Sequence, residues 1–302
     1  MACCRARPSH AAHEAAPIRC GCGESHTSRF VRRRDRLTSG VSFHGTGCCA
    51  PMSIPSDSAS PADTARAWRV HALDVPPAAA RAGVRAVRID FDWSVPLASP
   101  AYAALSDDER ARAARFMRHE DAVRSAATRA ALRDVLGAAL GVAPHAVAIV
   151  VDASGRPSPA PAHRTSLDFN VSHAGDHALL AWAPAGRVGV DIECCDRAAD
   201  WRALTREVCA PAETAWLDSV SPAARAAAFM RVWAAKEALL KALGTGIVGG
   251  LRAFAVVPPR DVATPATTIV EPAAPAAGVA AFDAAWLDAA PGYAACIAWT
   301  RA

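Results

Sequence analysis

The sequence predicts an α+β fold with two similar halves that meet near residue 186. Two observations support this prediction. A strand pattern is followed by a long helical pattern and then by several strand patterns, and the order of helix and strands returns in the second half. Short turn segments separate the strand patterns, so neighbouring strands can pair directly.

In the first half, each element follows from a local signal. Residues 84–91 alternate between apolar and polar side chains, which predicts a strand. Ser106 and Glu109 form a capping box, and the long helix that it opens reaches Leu140 and stops at Gly141. The remaining predictions are a buried strand at 146–151, a loop at 155–162, and strands at 167–172 and 177–183.

In the second half, a strand pattern covers residues 187–193. Pro211 opens a short helix, and Pro222 opens a longer one that reaches Leu243. Two glycines in the segment 244–246 end this longer helix. Further strands are predicted near 251–257, 266–270 and 293–299.

The composition limits the classes of function. The chain has 302 residues, of which 52% are hydrophobic and 21% charged, and these fractions exclude wholesale disorder. Residues 1–53 carry a net charge of +5 within a total of +4, so residues 54–302 carry −1. The folded part is therefore not a polyanion-binding protein by bulk charge. No run of the sequence approaches the ~18 apolar residues of a membrane-spanning helix.

The cysteines and the N-terminal region predict a cytoplasmic protein with reduced thiols. Residues 1–65 contain six of the ten cysteines and lack helical or strand periodicity. They are predicted to be disordered, or to be an incorrectly assigned extension of a protein that starts at Met52. A transit peptide is the alternative, because the segment is rich in arginine and poor in acidic residues. The predicted domains are this extension at 1–65, a first half at 66–185 and a second half at 186–302.

Two acidic residues occupy alternate positions of the strand predicted at 187–193. Asp191 and Glu193 share one face of the strand, while Val190 and Ile192 face the core. Neighbouring carboxylates repel each other unless a cation or a proton lies between them, and their hard oxygen atoms favour Mg²⁺. A solvated polar face on an edge strand is the alternative.

A second charged group lies on the helix predicted to end at Leu243. Four residues spaced by four form one stripe along this helix, namely Phe229, Trp233, Glu237 and Lys241. Lys236 lies at the border of the stripe. Lys236 and Lys241 are the only lysines among the 33 basic residues of Lys and Arg type, which indicates two positions where arginine cannot replace lysine. Glu237 could complete a Mg²⁺ site with Asp191 and Glu193. An ordinary surface pair of Glu237 with Lys241 is the alternative.

Ser172 and His173 lie near the end of another predicted strand, in the segment FNVSHAG. Adjacent strand residues face opposite sides, so these two do not form a hydrolase dyad. Together with loop amides they could bind phosphate. A histidine with a purely structural role is the alternative.

In this order and spacing, FNVSHAG, VGVDIE and WAAKEALLKALGTG resemble the motifs of the 4′-phosphopantetheinyl transferase superfamily, surfactin-synthetase-activating type. The resemblance covers roughly residues 66–300. It implies a monomer with two pseudo-symmetric halves, each a long helix packed on a small, mainly antiparallel sheet, which is the phosphopantetheinyl transferase fold. It also implies that the phosphopantetheine arm of coenzyme A moves onto a serine of an apo carrier protein, with release of adenosine 3′,5′-bisphosphate.

The resemblance assigns roles to individual residues. Asp191, Glu193 and Glu237 bind Mg²⁺ in this assignment. Glu237, or a water on the metal, takes the proton of the carrier serine. Lys241 stabilises the leaving phosphate, with Lys236 close by. The positions that match coenzyme A contacts are Arg129, Arg156, Ser172, His173, Lys236 and Lys241, and further candidates are Arg112, Arg124 and Ser125.

The implied partners are coenzyme A and an apo acyl, peptidyl or aryl carrier protein, with no nucleic acid and no membrane. Carrier domains are usually acidic, so an arginine-rich first helix suits them; its arginines are Arg110, Arg112, Arg115 and Arg118. Two alternatives stay open. One is another Mg²⁺-dependent phosphoryl or nucleotidyl transferase, or a phosphatase, which would not be retained on immobilised coenzyme A. The other is a non-enzymatic protein that binds nucleic acid or a partner through its basic N-terminal segment.

Overall fold

The computed structural model describes residues 67–196, 201–245, 250–257, 268–270 and 278–301. The first half contains β1 (Trp68–Leu73), α1 (Pro77–Arg81), β2 (Arg85–Phe91), α2 (Asp107–Ala113), α3 (His119–Leu140), β3 (Ile149–Val151), β4 (Pro157–Pro159), β5 (Asp168–Ala174) and β6 (His177–Ala183). The second half contains β7 (Val188–Cys194), α4 (Trp201–Val208), α5 (Pro211–Ser219), α6 (Arg225–Leu243), β8 (Ala255–Val257), β9 (Thr268–Val270), β10 (Phe282–Leu287) and β11 (Tyr293–Thr300). The N-terminal extension predicted at 1–65 and the predicted helix stop at Gly246 lie outside the described residues.

Two antiparallel sheets form the centre of the molecule, and each carries a long helix on its outer face. The strand order is β1-β2-β6-β5 in the first sheet and β10-β11-β7 in the second. Helix α3 packs on the first sheet and α6 on the second, so the layers run helix, sheet, sheet, helix. The predicted α+β class is confirmed. Among the described helices, none has the length and apolar character needed to cross a membrane.

Alternation along the strands produces the apolar cores between these layers. Val87 and Ile89 of β2 pack against α3, whereas Ala86 faces the other way and lies between the two sheets. Val190 and Ile192 of β7 lie in the same central core. Each sheet therefore buries one face under its helix and the other against the second sheet, as period-two apolar patterns require.

Small residues allow α6 to lie very close to β7. A Cβ atom on Gly189 would be 2.0 Å from the carbonyl oxygen of Ala238 and 2.5 Å from the amide nitrogen of Ala242. Both alanines are fully buried. The glycine is needed here for space, because only a residue without a side chain leaves room for the helix backbone.

The long helix predicted from Ser106 is in fact two helices, α2 and α3, with residues 114–118 between them. The capping box is formed, since the Ser106 hydroxyl accepts from the Glu109 amide at 3.3 Å and Glu109 Oε2 accepts from the Ser106 amide at 2.9 Å. Glu109 also contacts α3, where Arg133 Nε lies 2.7 Å from Oε2 and Arg129 Nε lies 3.4 Å from Oε1. These ion pairs hold α2 against α3, a long-range interaction that helical periodicity does not reveal.

Two further predictions for the first half are wrong. The apolar run at 146–151 forms a strand only from Ile149, and Val150 and Val151 are 43% and 62% exposed rather than buried. Its partner β4 lies within the predicted loop at 155–162. The two strands make a separate two-stranded sheet with two exposed valines, so an apolar run need not be a core strand.

The second half contains elements that no sequence pattern indicated, namely α4 and β10. Helix α6 begins at Arg225, three residues after the predicted start. The strand predicted near 266–270 is described only at 268–270. The strands β7 and β11 match their predicted positions to within a residue, because their alternation is regular.

Side chains of β5 join the adjacent edges of the two sheets. Asp168 Oδ2 accepts a hydrogen bond from the Val188 amide at 2.8 Å, and Asn170 Oδ1 accepts one from the Val190 amide at 3.0 Å. Both polar side chains are buried. We call this contact the side-chain ladder, because the side chains of one edge strand replace the backbone acceptors that a neighbouring strand would supply. The ladder sets the register of β7 against β5.

Candidate active site

Strand β7 presents its two acidic side chains to helix α6. Asp191 and Glu193 alternate with Val190 and Ile192, whose side chains fill the core between the sheets. Asp191 is 3% exposed and Glu193 is 9% exposed. The alternative of a solvated polar edge is therefore wrong, because the sheet places these carboxylates under a helix.

Helix α6 brings Lys241 onto Asp191. The ammonium group of Lys241 lies 2.6 Å from Asp191 Oδ1 and donates to Ser172 Oγ at 2.9 Å. The Ser172 hydroxyl in turn donates to Asp191 Oδ1 at 2.7 Å. The three groups form a closed triangle contributed by α6, β5 and β7, so both halves of the molecule supply it.

Glu237, one turn before Lys241 on α6, belongs to the same electrostatic group. Burial, and next the negative charge of Asp191, raise the pKa of Glu237 to about 7, while Lys241 opposes this rise. Burial likewise raises the pKa of Asp191 against the effect of Lys241. Burial disfavours the ammonium form of Lys241, yet the surrounding carboxylates raise its pKa. The carboxylates of this group thus carry more negative charge than the ammonium group of Lys241 can neutralise.

Two oxygen atoms of this group fit a hard cation. Asp191 Oδ2 and Glu237 Oε1 are buried and have no hydrogen-bond partner within the described part of the chain. Unpaired buried carboxylate oxygens are costly, and they are the ligand atoms that Mg²⁺ prefers. In the same described ranges, no set of three or more histidine, cysteine or acidic side chains is arranged to hold a metal ion. The donor chemistry fits Mg²⁺, but the ligands are not gathered into a complete shell.

A cleft of about 210 Å³ lies beside α3 and opens along β5. Its lining residues come from α2, α3, β4 and β5 and the segment between α2 and α3; they are Glu109, Arg112, Phe116, Asp121, Arg124, Ser125, Thr128, Arg129, Leu132, Pro157, Val171 and His173. His173 faces this cleft, whereas the adjacent Ser172 faces the acidic group. Strand β5 therefore separates the cleft from the triangle and contributes a side chain to each.

The arginines of the cleft differ in how firmly they are held. Arg124 is 2.5 Å from Asp121, donates to the Gly175 carbonyl at 3.2 Å and lies over the ring of Trp93. Within the described ranges, the ion pair of Arg129 is the longer contact with Glu109, at 3.4 Å, and its side chain is 28% exposed. Burial lowers the pKa of Arg129, which Glu109 partly opposes. Arg129 is thus better placed than Arg124 to move onto an anion.

Lys236 is not part of this site. Its ammonium group is fully buried and pairs with Glu213 Oε2 at 2.8 Å. It also donates to three backbone carbonyl groups, those of Val208, Leu251 and Phe254. The prediction that Lys236 lies near a phosphate fails here, because the 100° turn from Glu237 carries its side chain into the core of the second half.

Arg156, predicted to contact coenzyme A, lies at the junction of the two halves. Its guanidinium group is 2.6 Å from Asp168 Oδ2 and donates to the Val188 carbonyl at 3.0 Å. Its neighbour Pro157 lines the cleft, whereas Arg156 is not part of the cleft wall formed by the described residues. The structure thus brings Arg112, Arg124, Ser125, Arg129 and His173 together in the cleft and leaves Arg156 outside it.

Three buried polar residues that support the site escaped the sequence analysis. Asp168 and Asn170 form the side-chain ladder, and they could have been noticed as polar residues at alternate positions of an apolar strand. Glu213 accepts from the Ala210 amide at 2.7 Å and pairs with Lys236. The signal for Glu213 was a glutamate at the third position of a helix that starts with proline.

Glu237→Gln should stabilise the metal-free protein above pH 7, by about 3 kcal/mol. The pKa of the Glu237 carboxyl rises from 4.5 to about 7 on folding, so the folded state binds this proton more tightly than the unfolded chain does. The free energy of unfolding therefore falls as the pH rises through the interval between these two values. Glutamine cannot titrate, so the variant should lack this decline.

Urea denaturation in the presence of a chelator, at pH 5 and pH 8, measures the effect. The variant should exceed the wild type at pH 8 and by much less at pH 5. Glu207→Gln, at an exposed position of α4, is the matched control and should leave the pH dependence unchanged. A Glu237→Gln curve parallel to that of the wild type would contradict the raised pKa.

Comparisons with known proteins identify the family. A family model described as the 4′-phosphopantetheinyl transferase superfamily matches residues 187–298, and one described as 4′-phosphopantetheinyl transferase, N-terminal, matches residues 95–185. The chain is 36% identical over 162 residues to the 4′-phosphopantetheinyl transferase HetI of Nostoc, a match that covers 51% of this chain and 68% of the relative.

Two other relatives carry the same type of name. The L-aminoadipate-semialdehyde dehydrogenase-phosphopantetheinyl transferase of Schizosaccharomyces pombe is 35% identical over 164 residues, which are 50% of this chain and 63% of the relative. The 4′-phosphopantetheinyl transferase AcpT of Escherichia coli K12 is 38% identical over 96 residues, 32% of this chain and 48% of the relative. The chain spans about half to two thirds of the length of these relatives. The predicted superfamily is confirmed, and the chain belongs to the 4′-phosphopantetheinyl transferase superfamily.

Proposed function

We propose that this chain transfers the 4′-phosphopantetheine arm of coenzyme A to a serine of an apo acyl, peptidyl or aryl carrier protein. The product released is adenosine 3′,5′-bisphosphate. The observation that carries the proposal is the triangle of Lys241, Asp191 and Ser172, with two unpaired acidic oxygens beside it and an arginine-lined cleft across β5. Family membership supports the same reaction.

The acidic group suits a Mg²⁺ ion. Asp191 and Glu237 would hold the ion through their unpaired oxygens, and Glu193, two residues along β7, would complete the carboxylate set. When bound, Mg²⁺ supplies positive charge that neutralises the pyrophosphate of coenzyme A. The raised pKa of Asp191 and Glu237 supports this assignment, because burial raises both values and the charge of Lys241 only partly opposes the rise.

The chain's own residues supply the proton transfer and the charge at the leaving group. The carrier serine oxygen forms a bond to the phosphorus that bears the pantetheine arm, and the P–O bond to the second phosphate breaks. Glu237 accepts the serine proton as the general base, and proton transfer of this kind contributes about 10²–10⁴ in rate. Lys241 stabilises the charge on the departing phosphate, and its contacts with Asp191 and Ser172 keep its ammonium group in place.

The cleft would take the phosphates and nucleotide of coenzyme A. Arg129 and His173 face it from opposite walls, one on α3 and one on β5. Ser125 and Arg112 line the same space, and Arg124 is held by Asp121 as a fixed positive charge. The guanidinium groups of the cleft are donors that suit the phosphate oxygens of a nucleotide, and the imidazole of His173 offers a further polar contact.

The carrier protein would approach the arginine-rich segment around α2, as an acidic partner. Arg112, Arg115 and Arg118 are exposed there. We further propose that the protein acts as a cytoplasmic monomer, with neither a nucleic acid nor a membrane as partner. The net charge of −1 on residues 54–302 supports the first of these exclusions.

Intact-mass spectrometry of apo carrier proteins tests the proposed reaction. A carrier incubated with this chain, coenzyme A and Mg²⁺ should gain about 340 Da, the mass of one phosphopantetheine arm, and a chelator should prevent the gain. Unchanged masses for acyl, peptidyl and aryl carriers, with folded protein that binds coenzyme A, would contradict it. Failure to bind coenzyme A would favour a different phosphoryl transferase or a phosphatase.

A further inference from the structure

Arg156 connects the two halves through a buried guanidinium group. The residue follows a tight turn, in which its amide donates to Asp152 Oδ1 at 3.0 Å and its carbonyl accepts from the Asp152 amide. Its side chain is 8% exposed. One terminal nitrogen contacts Asp168 and the Val188 carbonyl, and the other donates to the carbonyl oxygen of Lys241. Both terminal nitrogens of Arg156 therefore donate to protein groups.

The contact with Lys241 caps a helix end. Helix α6 ends at Leu243, and the last carbonyl groups of a helix have no partner within it. The Gly244 amide satisfies the Leu240 carbonyl, and Arg156 satisfies the next carbonyl, that of Lys241. A positive charge at this position also complements the helix dipole. The cap comes from the first half of the chain, whereas the helix belongs to the second.

The capped residue is the one whose side chain enters the site. The carbonyl group of Lys241 is fixed by Arg156, and its ammonium group is fixed by Asp191 and Ser172. Arg156 also holds Asp168, which binds the Val188 amide at the start of β7. A single guanidinium group thus anchors both elements that carry the acidic group and its lysine.

We propose that Arg156 is a positioning residue, which holds Lys241 against the reacting phosphate by capping α6 from the opposite half, and not a contact of coenzyme A. The inference rests on the proposed transferase reaction. It differs from the role implied by the sequence resemblance, in which Arg156 contacts coenzyme A. The planar guanidinium group, with its two terminal nitrogens (the fork), is required, because Asp168 and the Lys241 carbonyl must be contacted at the same time.

A double-mutant cycle separates the two roles. Arg156→Met should lower kcat about tenfold or more and leave KM for coenzyme A within twofold of the wild type. In a Lys241→Met background, the same substitution should change kcat by less than twofold, because the group that Arg156 positions is already absent. Rates are taken per active site, counted by coenzyme A binding. A tenfold rise in KM, or a full effect of Arg156→Met in the Lys241→Met background, would overturn the proposal.

Two variants control for charge. Arg156→Lys keeps the positive charge but not the fork, so it should behave like Arg156→Met. A phosphate contact would instead be largely rescued by lysine. Arg187→Met is the matched control, because Arg187 is also near Asp168, at 3.9 Å, but is 45% exposed and makes no described contact with Lys241. This variant should keep kcat within twofold.

A spectroscopic readout does not depend on turnover. The chain contains only two lysines, so selective ¹³C labelling of lysine Cε gives two signals that Lys241→Met assigns. Arg156→Met should shift the Lys241 signal and leave that of the buried Lys236 in place, and Arg187→Met should shift neither. An unmoved Lys241 signal would overturn the inference, whereas an inactive wild type with the expected shift would contradict only the transferase reaction.

Discussion

Gly189→Ala should lower the free energy of unfolding by roughly 3 kcal/mol or more, the largest loss expected from an added methyl group at any glycine that the structure describes. The new Cβ atom would lie 2.0 Å from a carbonyl oxygen and 2.5 Å from an amide nitrogen of α6. Both neighbours are helix backbone, so no flexible side chain can move aside. The helix as a whole must shift away from β7.

That shift should also abolish transfer to a carrier protein. Helix α6 carries Glu237 and Lys241, and β7 carries Asp191, so separating the two elements breaks the 2.6 Å contact in the site. Catalysis of this kind depends on sub-ångström placement of charges. Urea denaturation and the intact-mass assay report the two effects in parallel.

Gly141→Ala is the control for Gly189→Ala. Gly141 ends α3 with φ +69°, yet a Cβ atom there would meet nothing within 4 Å. Its replacement should cost only about 1 kcal/mol, from backbone strain, and leave activity intact. If the two variants lost equal stability, close packing of α6 on β7 would not be the reason for glycine at position 189.

Glu237→Gln should reduce the rate of phosphopantetheine transfer by about 10³-fold or more. The amide keeps the size of the side chain but removes a proton acceptor, which alone is worth about 10²–10⁴ in rate. It also removes one of the two unpaired acidic oxygens proposed to bind Mg²⁺. Because the same substitution is expected to stabilise the metal-free fold, the loss of activity should occur in a well-folded protein.

The rate is measured with a saturating apo carrier protein and coenzyme A over a range of Mg²⁺ concentrations. Weaker Mg²⁺ binding would appear as partial recovery at high Mg²⁺, whereas loss of the proton acceptor would persist there. Glu207→Gln should match the wild type throughout. A Glu237→Gln enzyme with more than a tenth of the wild-type rate would exclude Glu237 from both roles.

Local patterns in the sequence located the elements of the site well. The two-residue period of β7 predicted that Asp191 and Glu193 share a face, and the four-residue spacing on α6 predicted that Glu237 and Lys241 do so. Asp191 and Lys241 are in contact because their elements pack together. These placements depend on period alone, which is the most robust property that a sequence encodes.

Non-local interactions were the part that the sequence did not reveal. Lys236 lies beside the predicted stripe, but its three carbonyl acceptors come from segments 15 to 28 residues away along the chain. The break between α2 and α3 depends on Glu109 reaching Arg133, 24 residues further on. Side-chain partners at such separations are determined by how the layers pack together. A local sequence pattern carries no information about that packing.

The side-chain ladder has a consequence for building chimeric enzymes. A backbone carbonyl is present at every position of any strand, but the acceptors that bind the Val188 and Val190 amides are the particular side chains of Asp168 and Asn170. A foreign first half grafted onto this second half would therefore need an acceptor at both positions. The compatibility of two exchanged halves can therefore be checked from the residues at two positions of the donor sequence, before a chimeric gene is made.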